Sequence, residues 1–215
     1  MKKSNFPPND FFNLSLFPFA DIFKNVSETW EALPKISEYI KLQFKNKKNK
    51  YIYDKNKNIY IGKKTTIAKG ALIKGPAIIG DNCFIEHGSL IRENVILGNN
   101  VHIGHGAEIK NSIILNNTAI AHLNYVGDSI VGSNVNISGG TIIANYRLDK
   151  NSILVRFGDK RIDTKLEKLG AIVGDGSAVG VNSVLNPGTI LGKNTIVYPL
   201  VSVIGVHKNE EIIKK

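Results

Sequence analysis

The sequence predicts an all-β solenoid of stacked triangular coils, and three observations predict it. From Ile61 an aliphatic residue recurs every six positions: Ile61, Ile67, Ile73, Ile79, Ile85, Ile91, Leu97, Ile103 and Ile109. Two shortened steps lead to Ile114, Ile120, Val126, Val131, Ile137 and Ile143, and after an interruption the series resumes at Val173, Val179, Leu185, Leu191, Val197 and Val203. The residue two before each is nearly always small or β-branched, as at Thr65, Ala71, Ala77, Cys83, Ser89 and Ala107, and turns rich in Gly, Asn and Asp separate the units.

Each observation has a physical reading. Residues two apart on a strand share a face, so each unit is a short strand that turns one large and one small side chain inward. A helix would need a period near 3.6 residues, and an array of simple hairpins would not hold a period of six for so long. Three units make an 18-residue coil, and coils stack at the strand spacing of about 4.8 Å. The 21 units of the series give about seven coils over residues 59–205.

The flanks do not fit the period. Residues 1–58 form a cap segment with an aromatic and aliphatic cluster at Phe11, Phe12, Leu14, Leu16, Phe17 and Phe19, then Trp30, Leu33, Ile36 and Ile40 at helical spacing up to Phe44. A short amphipathic helix is expected to cover the first coil, because an open solenoid end exposes strand edges and apolar core. Residues 147–170 place Asp149, Arg161 and Glu167 at core positions, so they form an excursion loop, and loops of that length are often functional. Residues 206–215 are expected to be a C-terminal tail.

The net charge is +10, but only four of the 28 basic residues are arginine. Nucleic-acid binding is not expected from that pattern, whereas small anions would be attracted. The dense run Lys45 to Lys50 is expected to be a solvated surface. No apolar stretch approaches a membrane span of about 20 residues, the basic start leads into Pro and Asn rather than an apolar run, and Cys83 is alone. These features lead us to expect a cytoplasmic chain without membrane contact.

Wrapping the chain at 18 residues per coil brings distant residues into columns. Lys74, Arg92 and Lys110 form an outward basic column; His87 and His105, followed by His122 after 17 residues, form another. Glu108 and Tyr125 lie between the columns, so His122, Glu108, Tyr125 and Lys110 are expected to cluster. Arg and Lys suit a phosphate, and a neutral imidazole suits proton removal from an amine. His122 is singled out because the small-residue rule fails beside it, at Asn124.

The runs Leu90-Ile91-Arg92, Glu108-Ile109-Lys110-Asn111-Ser112, Ala121-His122-Leu123-Asn124-Tyr125-Val126-Gly127-Asp128, Asn134 to Thr141 and Asn145-Tyr146 resemble the acetyltransferase half of bifunctional N-acetylglucosamine-1-phosphate uridyltransferase/glucosamine-1-phosphate acetyltransferase, a hexapeptide-repeat acyltransferase. The loop that follows Asn145-Tyr146 is closer to the archaeal-type sugar-1-phosphate nucleotidylyltransferase/acetyltransferases. The resemblance implies a left-handed parallel β-helix, a homotrimer with sites between subunits, and acetyl-CoA as co-substrate with no metal. It implies N-acetylation of glucosamine or galactosamine 1-phosphate, in the supply of UDP-N-acetyl sugars for the cell envelope. By the same resemblance His122 is the catalytic base with Glu108 supporting it. Arg92, Lys110, Tyr125, Asn136 and Asn145 bind the sugar phosphate, and Gly139 and Tyr146 lie near the thioester.

The sequence departs from the family at Ser138-Gly139-Gly140, at the long excursion, and at Val181, where a small polar CoA contact would fall. Sixty N-terminal residues are too few for the family's α/β nucleotidyltransferase domain, so nucleotide transfer is not expected, and a separate sugar-1-phosphate nucleotidyltransferase stays open as a partner. Two other readings also stay open: a non-catalytic scaffold or regulatory trimer partnering a sugar nucleotidyltransferase, and a γ-carbonic-anhydrase-like zinc protein using His87, His105 and His122. Imidazoles stacked on one chain do not by themselves surround zinc tetrahedrally.

Overall fold

The computed structural model describes residues 6–43, 52–54 and 58–214. The lysine run 45–50 and Phe44 lie outside them. Three parallel sheets form the walls of a left-handed solenoid. The first wall is built from Ile59–Ile61, Ala77–Ile79, Val95–Leu97, Ser112–Ile114, Ile130–Val131, Ala171–Val173 and Thr189–Leu191. The second runs from Thr66–Ile67 to Ile196–Val197, and the third from Leu72–Ile73 to Ser202–Val203. Seven coils therefore carry a strand in every wall. Strand register follows the hexads, with Ile61 opposite Ile79 and Ile79 opposite Leu97.

The inward column, from Ile79, Ile85 and Ile91 up to Val203, is one continuous buried core. Corners between the first and second walls need glycine. Gly62, Gly80, Gly98, Gly174 and Gly192 sit where the next coil passes so closely that a Cβ on Gly80 would lie 2.3 Å from the Gly98 oxygen. Side-chain amides and carboxylates then tie coil to coil, as Asp81 N–H donates to Asn99 Oδ1 (2.9 Å) and Asn99 N–H to Asn116 Oδ1 (2.8 Å). Gly80→Ala should force the coils apart and lower stability by about 1–3 kcal/mol, the usual cost of overpacking. Chemical denaturation of the variant checks this; an unchanged midpoint would contradict it.

Two expectations about the flanks are corrected. The tail is not a tail: Val206–His207 joins the first wall and Ile212–Ile213 the second, starting an eighth coil. The N-terminal segment, over its described residues, is not confined to the first coil. It runs along the outside of the first wall, because that wall is apolar on both faces. Its outward residues are Tyr60, Ile78, Ile96, Ile113, Ile130, Ile172 and Ile190, and they form one buried cluster with Phe12, Phe17, Phe19, Trp30, Leu33, Ile36 and Ile40. Strands buried on both faces read as continuous apolar runs, as Ala77-Ile78-Ile79 and Val95-Ile96-Leu97 do. Backbone contacts fix the direction. Asp175 N–H of the sixth coil donates to Phe11 O (3.0 Å), and Asn116 Nδ2 of the fourth coil donates to Leu16 O (2.9 Å). The expected helix is present as Ile36–Gln43. A short antiparallel strand, Ile52–Asp54, adds to the edge at Ile59–Ile61.

The excursion leaves after Ile143 and returns at Ala171. It holds an antiparallel hairpin, Leu154–Phe157 with Lys160–Asp163. Its Ile153, Val155 and Leu169 enter the same outer cluster as the N-terminal segment, and Phe157 meets Phe6 edge-on, with ring centroids 5.6 Å apart.

Candidate active site

The third wall and its two corners carry the chemistry. Glu108 and Tyr125 are register neighbours on its outer face. One residue past the inward Ile91 and Ile109, at the corner toward the first wall, stand Arg92 and Lys110. Here one shortened step, Lys110-Asn111-Ser112, brings in Asp128, a residue that sequence reasoning gave no role. Asp128 is buried and takes hydrogen bonds from Asn111 Nδ2 (2.8 Å) and Asn145 Nδ2, with Lys110 Nζ at 3.4 Å. Asn145 Nδ2 also donates to the Tyr125 hydroxyl (3.1 Å). Gly127 makes room for this pair, because a Cβ there would lie 2.5 Å from the Tyr125 hydroxyl and 2.6 Å from Asn145 Nδ2.

Arg92 donates to Glu108 (2.9 Å) and lies 3.4 Å from Glu93, while its Nε is buried without a partner among the described residues. The Glu108 hydrogen bond raises the Arg92 pKa, so the guanidinium stays charged. Burial pushes the Tyr125 phenol up, against the lowering effect of Asn145, so Tyr125 remains protonated at neutral pH. Arg92, Lys110, Tyr125, Asn145, Tyr146, Glu167 and Lys168 line an open pocket of about 320 Å³. Five of these are sequence candidates. Glu167 and Lys168 come from the excursion; Glu167 falls on the six-residue grid, where its charge marks the break in the core, and nothing in the repeat points to Lys168.

The remaining candidates lie at the other corner, toward the second wall. His122 is exposed there. A Cβ on Gly139, one coil further, would lie 3.1 Å from His122 Cδ2, so the absence of a side chain at Gly139 leaves space beside the imidazole. Asn124 is buried; its Oδ1 accepts from Thr141 N–H (2.7 Å), its backbone oxygen accepts from Glu108 N–H (2.8 Å), and its Nδ2 has no partner among the described residues. Asn136 is exposed on the second wall, between Ala119 and Ala178. The third wall thus separates two groups: Arg92, Lys110, Tyr125, Asn145 and Tyr146 on one side, and His122, Gly139 and Asn136 on the other, with Glu108 between.

Glu108 is engaged by Arg92. Glu86 is held below the usual carboxylate range, first by a hydrogen bond from His102 (2.8 Å), with the His122 side chain a minor contributor to that lowering. His105 stacks on His87, with ring centroids 4.3 Å apart. Among the described residues no group of three or more His, Cys, Asp or Glu is placed to hold a metal ion.

The solenoid of six-residue units carries a cationic pocket on one side of the third wall and an imidazole on the other, and the relatives that this chain resembles are acetyltransferases. Residues 73–158 match the family described as the GMPPB C-terminal domain. The chain is 41% identical over 80 residues to a bifunctional sugar-1-phosphate nucleotidylyltransferase/acetyltransferase of Sulfurisphaera tokodaii, covering 37% of this chain and 20% of that protein. A bifunctional protein GlmU of Methanococcus maripaludis is 41% identical over 80 residues, 37% of this chain and 19% of its own. The matches thus span about a fifth of the length of these relatives. The solved structure of AntD, an N-acyltransferase from Bacillus cereus in complex with dTDP and 3-hydroxybutyryl-CoA, aligns over 79% of this chain and 81% of that chain at 21% identity, with a TM-score of 0.40. The uncharacterized acetyltransferase YaiX of Escherichia coli is 34% identical over 173 residues, 78% of this chain and 75% of that protein, and the chain belongs to its family of acetyltransferases.

Proposed function

We propose that the chain is an acetyl-CoA-dependent N-acetyltransferase whose acceptor is an amino-sugar 1-phosphate, glucosamine or galactosamine 1-phosphate. The observation that carries the reading is the pocket of Arg92, Lys110, Tyr125 and Asn145 on the same wall that His122 borders. Arg92, whose buried Nε lacks a partner among the described residues, and Lys110 bind the phosphate. Tyr125 and Asn145 offer a hydroxyl and an amide to the sugar.

Bound there, the sugar presents its amine toward His122. The imidazole removes a proton from the attacking nitrogen, the nitrogen bonds to the acetyl carbonyl carbon, and the C–S bond breaks. The proton lost from nitrogen ends on the thiol of CoA. Within Ser138-Gly139-Gly140, Ser138 N–H donates to Val179 O and Gly140 N–H to His122 O. The Gly139 N–H has no acceptor among the described residues, so it is the one able to meet the developing oxyanion. Glu108 acts through Arg92, keeping its guanidinium in place, and Tyr146 belongs to the acceptor pocket wall.

The reading includes a homotrimer, supported by outward Phe84, Ile142 and Ile196, which stay exposed on the second and third walls. It includes a cytoplasmic place in supplying acetylated sugar precursors for the envelope, with a separate nucleotidyltransferase as a partner. No helix among the described residues is long and apolar enough to cross a membrane.

Kinetics with both substrates tests the pocket. Arg92→Ala should raise the acceptor KM by about tenfold or more, as expected for a charge-assisted hydrogen bond to phosphate, and leave the acetyl-CoA KM unchanged. An effect confined to acetyl-CoA would overturn the assignment.

A further inference from the structure

We propose that the first coil is a docking face for an anionic phospholipid bilayer; the inference stands apart from the acetyltransferase reading. The first observation is where charge sits along the solenoid. The first coil, residues 59–76, carries four lysines, Lys63, Lys64, Lys69 and Lys74, and no acid. The six coils that follow, 77–146 and 171–205, carry six acids against three lysines and arginines. The four lysines occupy all three corners of their coil: Lys63 and Lys64 lie between the first and second walls, Lys69 between the second and third, and Lys74 just past the third. All four are exposed, and the ion pairs among the described residues lie elsewhere. Asp81 of the second coil accepts the Lys63 backbone N–H (2.9 Å), and Asp54 sits beyond the first wall, on the strand that extends it.

The second observation is the backbone at Lys64. Its φ is 57°, in the left-handed region that lysine disfavours. In coils two to seven the same corner position also has a positive φ, and it is filled by Asn82, Asn100, Asn117, Asn134, Gly176 and Asn194. The first coil therefore places a charged side chain where its own repeat uses Asn or Gly, and departures from a local rule concentrate at functional sites. The third observation is shape. Thr66–Ile67 and Leu72–Ile73 end their sheets, so among the described residues no strand covers the second and third walls here. Ile61, Ile67 and Ala71 are only partly buried against the core, and Leu72 is 49% exposed. A flat ring of ammonium groups around apolar side chains fits a plane of lipid phosphates, with the lysine stems lying along the apolar boundary. A nucleic-acid reader would use arginine and aromatic side chains, and this ring has neither. The expectation of no membrane contact came from the lack of an apolar span, and attraction to a charged surface needs none.

Flotation of the full chain with lipid vesicles tests this, after thermal melting confirms that the variants fold. Vesicles of equal parts phosphatidylcholine and phosphatidylglycerol should carry the protein up the gradient, phosphatidylcholine alone should not, and added salt should release it. One lysine near such a surface strengthens binding about fivefold, so Lys63→Gln with Lys64→Asn and Lys69→Gln should weaken it about a hundredfold. Lys74, in register below Arg92, is left unchanged. Lys24→Gln with Lys150→Asn and Lys160→Gln removes the same charge from exposed positions elsewhere and should weaken binding no more than about fivefold. If the first triple variant does not fold, Lys69→Gln alone should show the loss of about fivefold. No binding to the anionic vesicles, equal binding to phosphatidylcholine, or the same loss in both triple variants would overturn the inference. So would a wild type that ignores the vesicles and binds polyglutamate through the same lysines, which would give the face to an acidic protein.

Discussion

Deletion of residues 1–43 will leave a chain that no longer stays monodisperse in solution. The outward residues Tyr60, Ile78, Ile96, Ile113, Ile130, Ile172 and Ile190 are at most 7% exposed under the N-terminal segment and the excursion. Burying a large aliphatic or aromatic side chain contributes roughly 1.5–3 kcal/mol, so uncovering most of this column costs on the order of 10 kcal/mol, comparable to the whole stability of a domain. The uncovered face would also be a long apolar patch, which soluble chains rarely leave open. Size-exclusion chromatography with light scattering measures the outcome. Ile96→Asp in the full-length chain should show the same defect, because it places a carboxylate in that buried column. A truncated protein with the original elution and melting temperature would contradict this arrangement.

His122→Ala will lower turnover by about 10²–10⁴-fold, the usual loss for a general base. The fold gives little reason for a structural effect. The side chain is exposed at a corner, and among the described residues no hydrogen bond engages its ring. Its backbone oxygen, which accepts from Gly140 N–H, is kept in the variant. Melting temperature should therefore hold while kcat falls, and a kcat within twofold or so of wild type would remove His122 from the proton transfer.

The interior of the solenoid was legible because one period runs through it. Every inward residue from Ile61 to Val203 lay on the six-residue grid, and the two shortened steps near Asn111 and Asp128 could be read from the same grid. The outer cover is written in a second pattern. The outward residue in the first wall is Ile or Tyr in each of the seven coils, at 60, 78, 96, 113, 130, 172 and 190, whereas in the second wall it changes from Thr66 to Phe84, His102, Ala119 and Asn136. A pattern with a period of three units marks a wall, whereas the inward pattern is the same on all three walls and cannot place the N-terminal segment. Helical spacing at Trp30, Leu33, Ile36 and Ile40 identified a helix and could not say which surface it meets.

The site divides along the same line. Arg92, Lys110, Tyr125 and Asn145 meet because the repeat stacks them. Wrapping by coils also set His122 next to Glu108, though it could not show which group the carboxylate engages. The Glu108 carboxylate turns to Arg92, and the two corners of one wall hold separate groups. Asp128 escaped notice because it occupies a shortened turn, and an acid in a turn is ordinary until its three polar neighbours are seen together. Glu167 and Lys168 lie in a segment without a repeat, where only the folded arm shows which pocket they reach.

The most direct test of the central claim is the release of free CoA from acetyl-CoA with glucosamine 1-phosphate, galactosamine 1-phosphate or free glucosamine as acceptor, wild type beside His122→Ala. Release that requires both the 1-phosphate and His122, with the acetyl group found on the sugar nitrogen, is the predicted result. A folded wild-type protein that releases no CoA with any of the three acceptors would contradict it and favour a binding scaffold.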